Sequence, residues 1–121
     1  MAVFRFTNAQ RYALYRAYDG RCFYCELPIE FREMTVDHVV PESLLEDPPR
    51  LAKLRADHGI DEVAPGFQIN DFSNWVPAHA RRCNTRKGDS VLHKRLLLLC
   101  LQDIQKRLPA VREELAKLDR R

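Results

Sequence analysis

Four potential metal ligands occur in two closely spaced pairs. Cys22 and Cys25 are separated by two residues, and His79 and Cys83 are four positions apart. Residues four apart on a helix share one face, so the second pair is predicted to present both ligands to one point. A structural zinc ion takes four thiolate or imidazole ligands in a tetrahedron. The spacing therefore predicts a zinc ion that links the two pairs.

Other assignments compete for individual ligands. A lone Cys-x-x-Cys pair is also compatible with thiol redox chemistry, although the surrounding sequence does not resemble thioredoxin. His58 and His93 are the alternatives to His79, which is preferred because of its spacing from Cys83. Cys100 lies within a leucine-rich run and is predicted to be a buried packing residue.

The composition indicates a small soluble globular protein. The chain has 121 residues, of which 45% are hydrophobic and 31% charged, with a net charge of +3. This length suits one domain with a modest core. Residues 96–101 form the longest apolar run, which is too short to cross a membrane, and the N-terminus lacks a signal-peptide pattern. A cytoplasmic location is therefore expected, and a reducing cytosol favours metal binding over disulfides.

The sequence up to Pro77 predicts an N-terminal helix and two strands. A capping box at Thr7 begins a helix that runs to about residue 18. Residues 35–40 are rich in β-branched side chains and predict a strand. Residues 75–76 predict a second, shorter strand that Pro77 closes.

An insertion of about residues 42–62 separates the strands. Asp47 followed by Pro48 predicts the start of a helix that ends at Gly59. The insertion carries six acidic residues and three basic ones. Three roles stay open for it: covering a site, gating it, or contacting a partner.

Residues 79–119 predict further helices. One is expected over residues 79–87, and another begins at the cap Ser90. Pro109 is expected to kink or restart this C-terminal helical region, which ends near residue 119. Its predicted apolar face consists of Leu92, Leu96, Leu99, Leu101, Ile104 and Leu108.

Asp37 and His38, near the end of the first strand, form a second group that could do chemistry. Their pattern gains specificity from Asn-Trp-Val-Pro at residue 74 and Cys-Asn-x-x-Lys-Gly-Asp at residue 83. Together with Cys-x-x-Cys and Asp-His-Val-Val-Pro, in this order, these motifs resemble the HNH endonucleases. The similarity is to their zinc-containing branch, which has a ββα-metal fold, and it covers residues 22–89.

The resemblance implies a role for each matching residue. His38 corresponds to the general base that takes a proton from water, and Asp37 to a ligand of the catalytic Mg²⁺ or Mn²⁺. Asn74 corresponds to the structural middle asparagine that braces the loop between the strands. Asn84 corresponds to the second ligand of the catalytic ion, which makes the chain an H-N-N variant. Oxygen ligands suit such a hard ion, whereas the thiolates suit Zn²⁺.

Basic residues follow the second motif. Residues 79–95 carry six cations and one acid, which suits a polyanionic partner such as DNA. Arg82, Arg86 and Lys87 are the candidates for contacts with the phosphates of double-stranded DNA. Their alternative role is to keep a helix surface solvated.

The predicted architecture is α+β, with one HNH nuclease domain over residues 1–121. A ββα-metal, treble-clef-like core with structural zinc spans residues 20–90, and helices flank it on both sides. The main alternative function is a non-catalytic, zinc-stapled nucleic-acid-binding module. A regulatory domain with a purely structural zinc is the third hypothesis. Nothing in the sequence indicates the oligomeric state.

Overall fold

The computed structural model describes residues 4–84 and 91–120, and within them the chain forms a small α+β fold. This part contains four α-helices and a two-stranded antiparallel sheet, which agrees with the predicted class. The elements are α1 (Asn8–Ala17), β1 (Met34–His38), α2 (Pro48–His58), α3 (Ile60–Val63), β2 (Trp75–His79) and α4 (Lys94–Asp119). No helix among these residues is long and apolar enough to cross a membrane.

Helix α1 begins at the predicted capping box. The Thr7 hydroxyl accepts the Gln10 N–H at 3.0 Å, and the Thr7 N–H donates to the Gln10 side chain at 2.9 Å. The chain turns after the helix through Gly20, which has a φ of +66°. A Cβ atom at Gly20 would lie 3.0 Å from the Tyr15 hydroxyl, so the close approach as well as the turn favours glycine.

The two strands pair along their whole length, from Met34 opposite His79 to His38 opposite Trp75. The prediction that Pro77 closes β2 is wrong, because the strand continues through Pro77 to His79. Val39 N–H donates to the Asn74 carbonyl, and paired positions alternate along an antiparallel ladder. Pro77 therefore falls at a position whose N–H is not needed by β1.

The inserted segment follows its predicted signals closely. Asp47 caps α2 by accepting the Arg50 N–H at 3.3 Å, and Gly59 ends the helix with a φ of +64°. The short helix α3, which was not predicted, starts directly after this turn. Its first residue, Ile60, is fully buried, so core packing explains why the chain turns inward here.

Helix α4 differs from its prediction in where it starts and in part of its buried face. It begins at Lys94, capped by His93, whereas Ser90 lies outside the described residues. It continues through the exposed Pro109, so the predicted restart at this residue is wrong. Leu96 and Leu99 are 50% and 52% exposed. Leu101, Ile104 and Leu108 are buried as predicted, and Leu97, Cys100 and Val111 complete the buried face.

The main core lies where α1 and α4 pack against each other and against the sheet. Cys100 belongs to this core, as predicted. A second, smaller cluster contains Cys22, Ile29, Met34 and Ala78. It lies beneath the first cysteine pair and connects that pair to both strands.

Candidate functional site

A tight turn presents the first cysteine pair. Cys22 N–H donates to the Leu27 carbonyl and Glu26 N–H to the Cys22 carbonyl, both at 2.9 Å. Glu26 has a φ of +64°, an uncommon conformation for a residue other than glycine. Ile29 N–H then donates to the Gly20 carbonyl at 2.8 Å, which closes the turn at its base. The backbone thereby holds both sulfur atoms on one side.

The second pair comes from different elements than predicted. His79 is the last residue of β2, and Cys83 lies in a π-helical segment, Ala80–Asn84. The prediction of a helix beginning at His79 is wrong, because β2 extends through Pro77 and pairs His79 with Met34. The wide π-helical turn nevertheless brings Cys83 Sγ to 4.0 Å from His79 Nδ1.

The four predicted ligands Cys22, Cys25, His79 and Cys83 converge on one point. Their ligand atoms all lie within 4.8 Å of one another. A tetrahedral zinc ion with Zn–S of ~2.3 Å and Zn–N of ~2.1 Å would place S and N atoms about 3.6 Å apart. His79 Nδ1 lies 3.3 Å from Cys25 Sγ and 4.0 Å from Cys83 Sγ, and these two distances fall on either side of that value. The cluster could therefore hold a zinc ion after small side-chain adjustments.

A hydrogen bond orients the histidine of this cluster. His79 Nε2 lies 3.2 Å from the Pro28 carbonyl oxygen, which can only accept a hydrogen bond. The Nε2 atom must then carry the proton, so the lone pair of Nδ1 faces the three cysteines. Metal-binding histidines are commonly oriented by such a carbonyl, and no sequence signal pointed to this one.

The electrostatics of the thiols also suit a cation. Burial raises the pKa of Cys22, but hydrogen bonds from backbone N–H groups of Cys25, His79 and Tyr24 outweigh it and lower this pKa to about 6. Burial and the neighbouring sulfur atoms of Cys22 and Cys25 raise the pKa of Cys83 to about 12. Ionisation of the Cys22 thiol is thus favoured, whereas ionisation of the Cys83 thiol is opposed. A divalent ion would remove that opposition by neutralising the converging negative charge.

Asp37 contacts the cysteine turn directly. It is only 5% exposed, and its Oδ2 accepts a hydrogen bond from the hydroxyl of Tyr24, which lies between the two cysteines. Burial and the Asp37 carboxylate raise the pKa of Tyr24 far above its ordinary value, so the phenol stays protonated as a donor. Tyr24 was not among the predicted site residues, although its place between the cysteines is visible in the sequence.

His38 lies among polar and aromatic side chains. Its Nε2 is 2.7 Å from Asn70 Oδ1, 3.2 Å from Trp75 Nε1 and 3.9 Å from Glu42 Oε2. The Phe6 ring is also close, at a centroid distance of 5.9 Å. The His38 side chain retains 13% of its exposure. Sequence reasoning missed both acceptors. Asn70 approaches His38 only when the insertion folds back, whereas Glu42 lies just four residues after His38.

Asn74 connects the two strand ends. It is fully buried, and its Oδ1 accepts the Val40 N–H at 2.7 Å. Its Nδ2 donates to the carbonyls of Val40 at 2.9 Å and Ile69 at 3.0 Å. These bonds hold the chain that leaves β1 against the chain that enters β2, immediately beside His38 and Trp75.

The remaining predicted site residues cannot be compared with the structure. Arg86 and Lys87 lie outside the described residues, as do the side chains of Asn84 and Arg82. Their assignment as ligand and phosphate-binding residues stays a prediction.

Comparison with known proteins identifies no relative of this chain. No family model, curated protein or solved structure matches the chain.

Proposed function

We propose that this protein is a metal-dependent HNH-type endonuclease that hydrolyses DNA phosphodiester bonds. It would use a ββα-metal core stabilised by a structural zinc ion. The observation that carries the proposal is that one hairpin serves both groups of residues. Strand β1 bears Asp37 and His38, while β2 ends in His79 of the Cys₃His cluster.

The hairpin also has the rigidity that a catalytic base needs. The buried Asn74 amide ties the strand ends together through Val40, two residues after His38. A general base must be held within hydrogen-bonding distance of the water that it deprotonates. A fixed strand end is a better support for such a base than a free loop.

In the proposed reaction, His38 accepts a proton from a water molecule. The water oxygen attacks phosphorus, the bond from phosphorus to the 3′ oxygen breaks, and that oxygen leaves and gains a proton. The products would be a 5′-phosphate and a 3′-hydroxyl. Asp37 and Asn84 would hold a Mg²⁺ or Mn²⁺ ion, which supplies charge stabilisation to the phosphoryl and leaving oxygens when bound. Arg82, Arg86 and Lys87 would hold neighbouring phosphates.

A non-catalytic, zinc-stapled DNA-binding module is the second candidate. One observation favours it: Asp37 is buried and bonded to Tyr24, so its carboxylate must be shared or released before it can bind a catalytic ion. The basic residues between positions 79 and 95 suit DNA binding under either hypothesis.

A plasmid-cleavage assay separates the two candidates. Zinc-loaded protein would be incubated with supercoiled DNA and Mg²⁺ or Mn²⁺, beside His38→Ala and the matched control His58→Ala. The nuclease proposal expects cleavage by the wild type and the control, with at least a hundredfold slower cleavage by His38→Ala, the lower range for loss of a general base being ~10²-fold. DNA binding without cleavage under both metals would support the binding module. Equal cleavage by His38→Ala would refute the assignment of the base.

A further inference from the structure

The Nε2 atom of His38 faces the protein interior. Asn70 Oδ1, Trp75 Nε1 and Glu42 Oε2 approach it at 2.7, 3.2 and 3.9 Å. Glu42 is itself held by the Phe4 N–H, which donates to Oε2 at 3.0 Å. Three protein groups thus approach one ring nitrogen, and their hydrogen-bonding requirements favour one or the other position for the proton of the neutral ring.

These neighbours make incompatible demands on Nε2. The indole N–H of Trp75 can only donate, so it requires a lone pair on Nε2. The oxygen of Asn70 can only accept, as does the Glu42 carboxylate, so both favour a proton there. A neutral imidazole carries one proton on one of its two nitrogens, and the two arrangements therefore exclude each other.

Distance and charge favour the protonated form of Nε2. The Asn70 contact is shorter than the Trp75 contact by half an ångström, and the Glu42 oxygen adds negative potential on the same side. We propose that Asn70 is a positioning residue for His38, accepting the Nε2 proton and thereby leaving the lone pair on Nδ1. This inference rests on the proposed nuclease function in one respect, that Nδ1 is then the nitrogen that takes the proton from water.

The arrangement has a consequence for the charge that forms during the reaction. When Nδ1 accepts the proton of water, the ring becomes a cation whose Nε2–H still donates to Asn70. The Glu42 carboxylate, 3.9 Å away and half-buried, then faces a positive ring. Asn70 fixes the ring orientation, and Glu42 stabilises the cation without taking its proton. An acidic residue supports a catalytic histidine of the serine hydrolases in a similar way.

The ring tautomer is directly measurable in the intact protein. Zinc-loaded protein labelled with ¹⁵N-histidine would be examined at pH 8, where imidazole side chains are ordinarily neutral. Correlations from the ring protons identify which nitrogen carries hydrogen, and His38→Gln assigns the signal. Wild-type His38 is expected as the Nε2–H tautomer. Trp75→Phe, which removes the competing donor, is expected to keep that tautomer, whereas Asn70→Leu is expected to lose its dominance.

Activity supplies a second readout. Asn70→Leu is expected to lower kcat by roughly 10–100-fold with KM nearly unchanged, as for loss of a hydrogen bond to a charged group. Asn70→Asp keeps the acceptor and is expected to retain the tautomer and most of kcat. A wild-type Nδ1–H tautomer would overturn the inference whether or not DNA is cleaved. An Nε2–H tautomer in a protein that cleaves no DNA would refute only the nuclease proposal and leave the role of Asn70 intact.

Discussion

Replacing Asn74 with alanine tests how strongly one buried amide holds the hairpin together. The Asn74 side chain is fully buried and makes three hydrogen bonds to backbone groups of Val40 and Ile69. Alanine keeps the backbone bonds of residue 74 but removes all three side-chain bonds. Because residue 74 has no exposed surface, solvent water does not reach this position to replace them.

The expected cost follows from what each bond leaves behind. The Val40 N–H becomes a buried donor without its partner, which costs roughly 1–3 kcal/mol, and each of the two carbonyl bonds contributes roughly 0.5–1.5 kcal/mol. The total is about 2–6 kcal/mol. The free energy of unfolding of a native protein is only about 5–15 kcal/mol, so this single substitution would remove a large share of the stability.

Urea denaturation of the zinc-loaded protein measures this cost. Asn74→Ala is expected to lower the transition midpoint strongly without changing the slope of free energy against urea. Asn8→Ala is the matched control, because Asn8 is exposed in the first turn of α1 and should shift stability by less than about 0.5 kcal/mol. A loss below about 1 kcal/mol in Asn74→Ala would refute the view that this amide organises the strand ends.

Three further predictions concern the zinc cluster, its contact with the hairpin, and α4. Cys25→Ser is expected to lose bound zinc and to lower the melting temperature, whereas Cys100→Ser should keep one zinc per chain by atomic emission; equal zinc content would contradict the ligand assignment. Under the proposed nuclease function, Tyr24→Phe is expected to keep zinc and to tighten Mn²⁺ binding, measured by electron paramagnetic resonance, because the hydroxyl that competes for the Asp37 carboxylate is removed; an unchanged midpoint would separate this contact from metal binding. Leu97→Ala should cost about 2–5 kcal/mol, whereas the exposed Leu96→Ala should cost less than about 1 kcal/mol, and the reverse order in denaturation would invalidate the buried face of α4.

Local signals predicted the element ends where short-range hydrogen bonds decide them. Thr7 and Asp47 cap α1 and α2 as their sequence context indicated, and Gly59 ends α2. Each of these depends on atoms within a few residues along the chain. The convergence of the four cysteine and histidine side chains was also predicted from their donor types, although the helix expected to carry His79 and Cys83 is not the element that brings them together.

Long-range packing explains what the sequence could not reveal. Pro77 was taken to end β2, yet it lies opposite Val36 where the ladder needs no N–H, a fact that depends on the register. Leu96 and Leu97 are equally apolar neighbours, and packing of α4 against the core buries Leu97 while leaving Leu96 half exposed. Asn70 offers no local pattern, since its partner His38 is 32 positions away.

The cysteine turn would give a zinc ion in the Cys₃His cluster an influence on the hairpin beyond its own ligands. Phe23 N–H donates to the Pro77 carbonyl at 2.9 Å, and Tyr24 donates to Asp37, so the two residues between the cysteines contact one strand each. An ion that binds only the folded cluster stabilises it in proportion to the logarithm of its concentration relative to the dissociation constant. That stabilisation must also favour the orientation of the turn that supports both strands. If zinc occupies the cluster, its removal is therefore expected to loosen Asp37 as well as the thiols, and the metal would then be structural for the hairpin and not only for the turn.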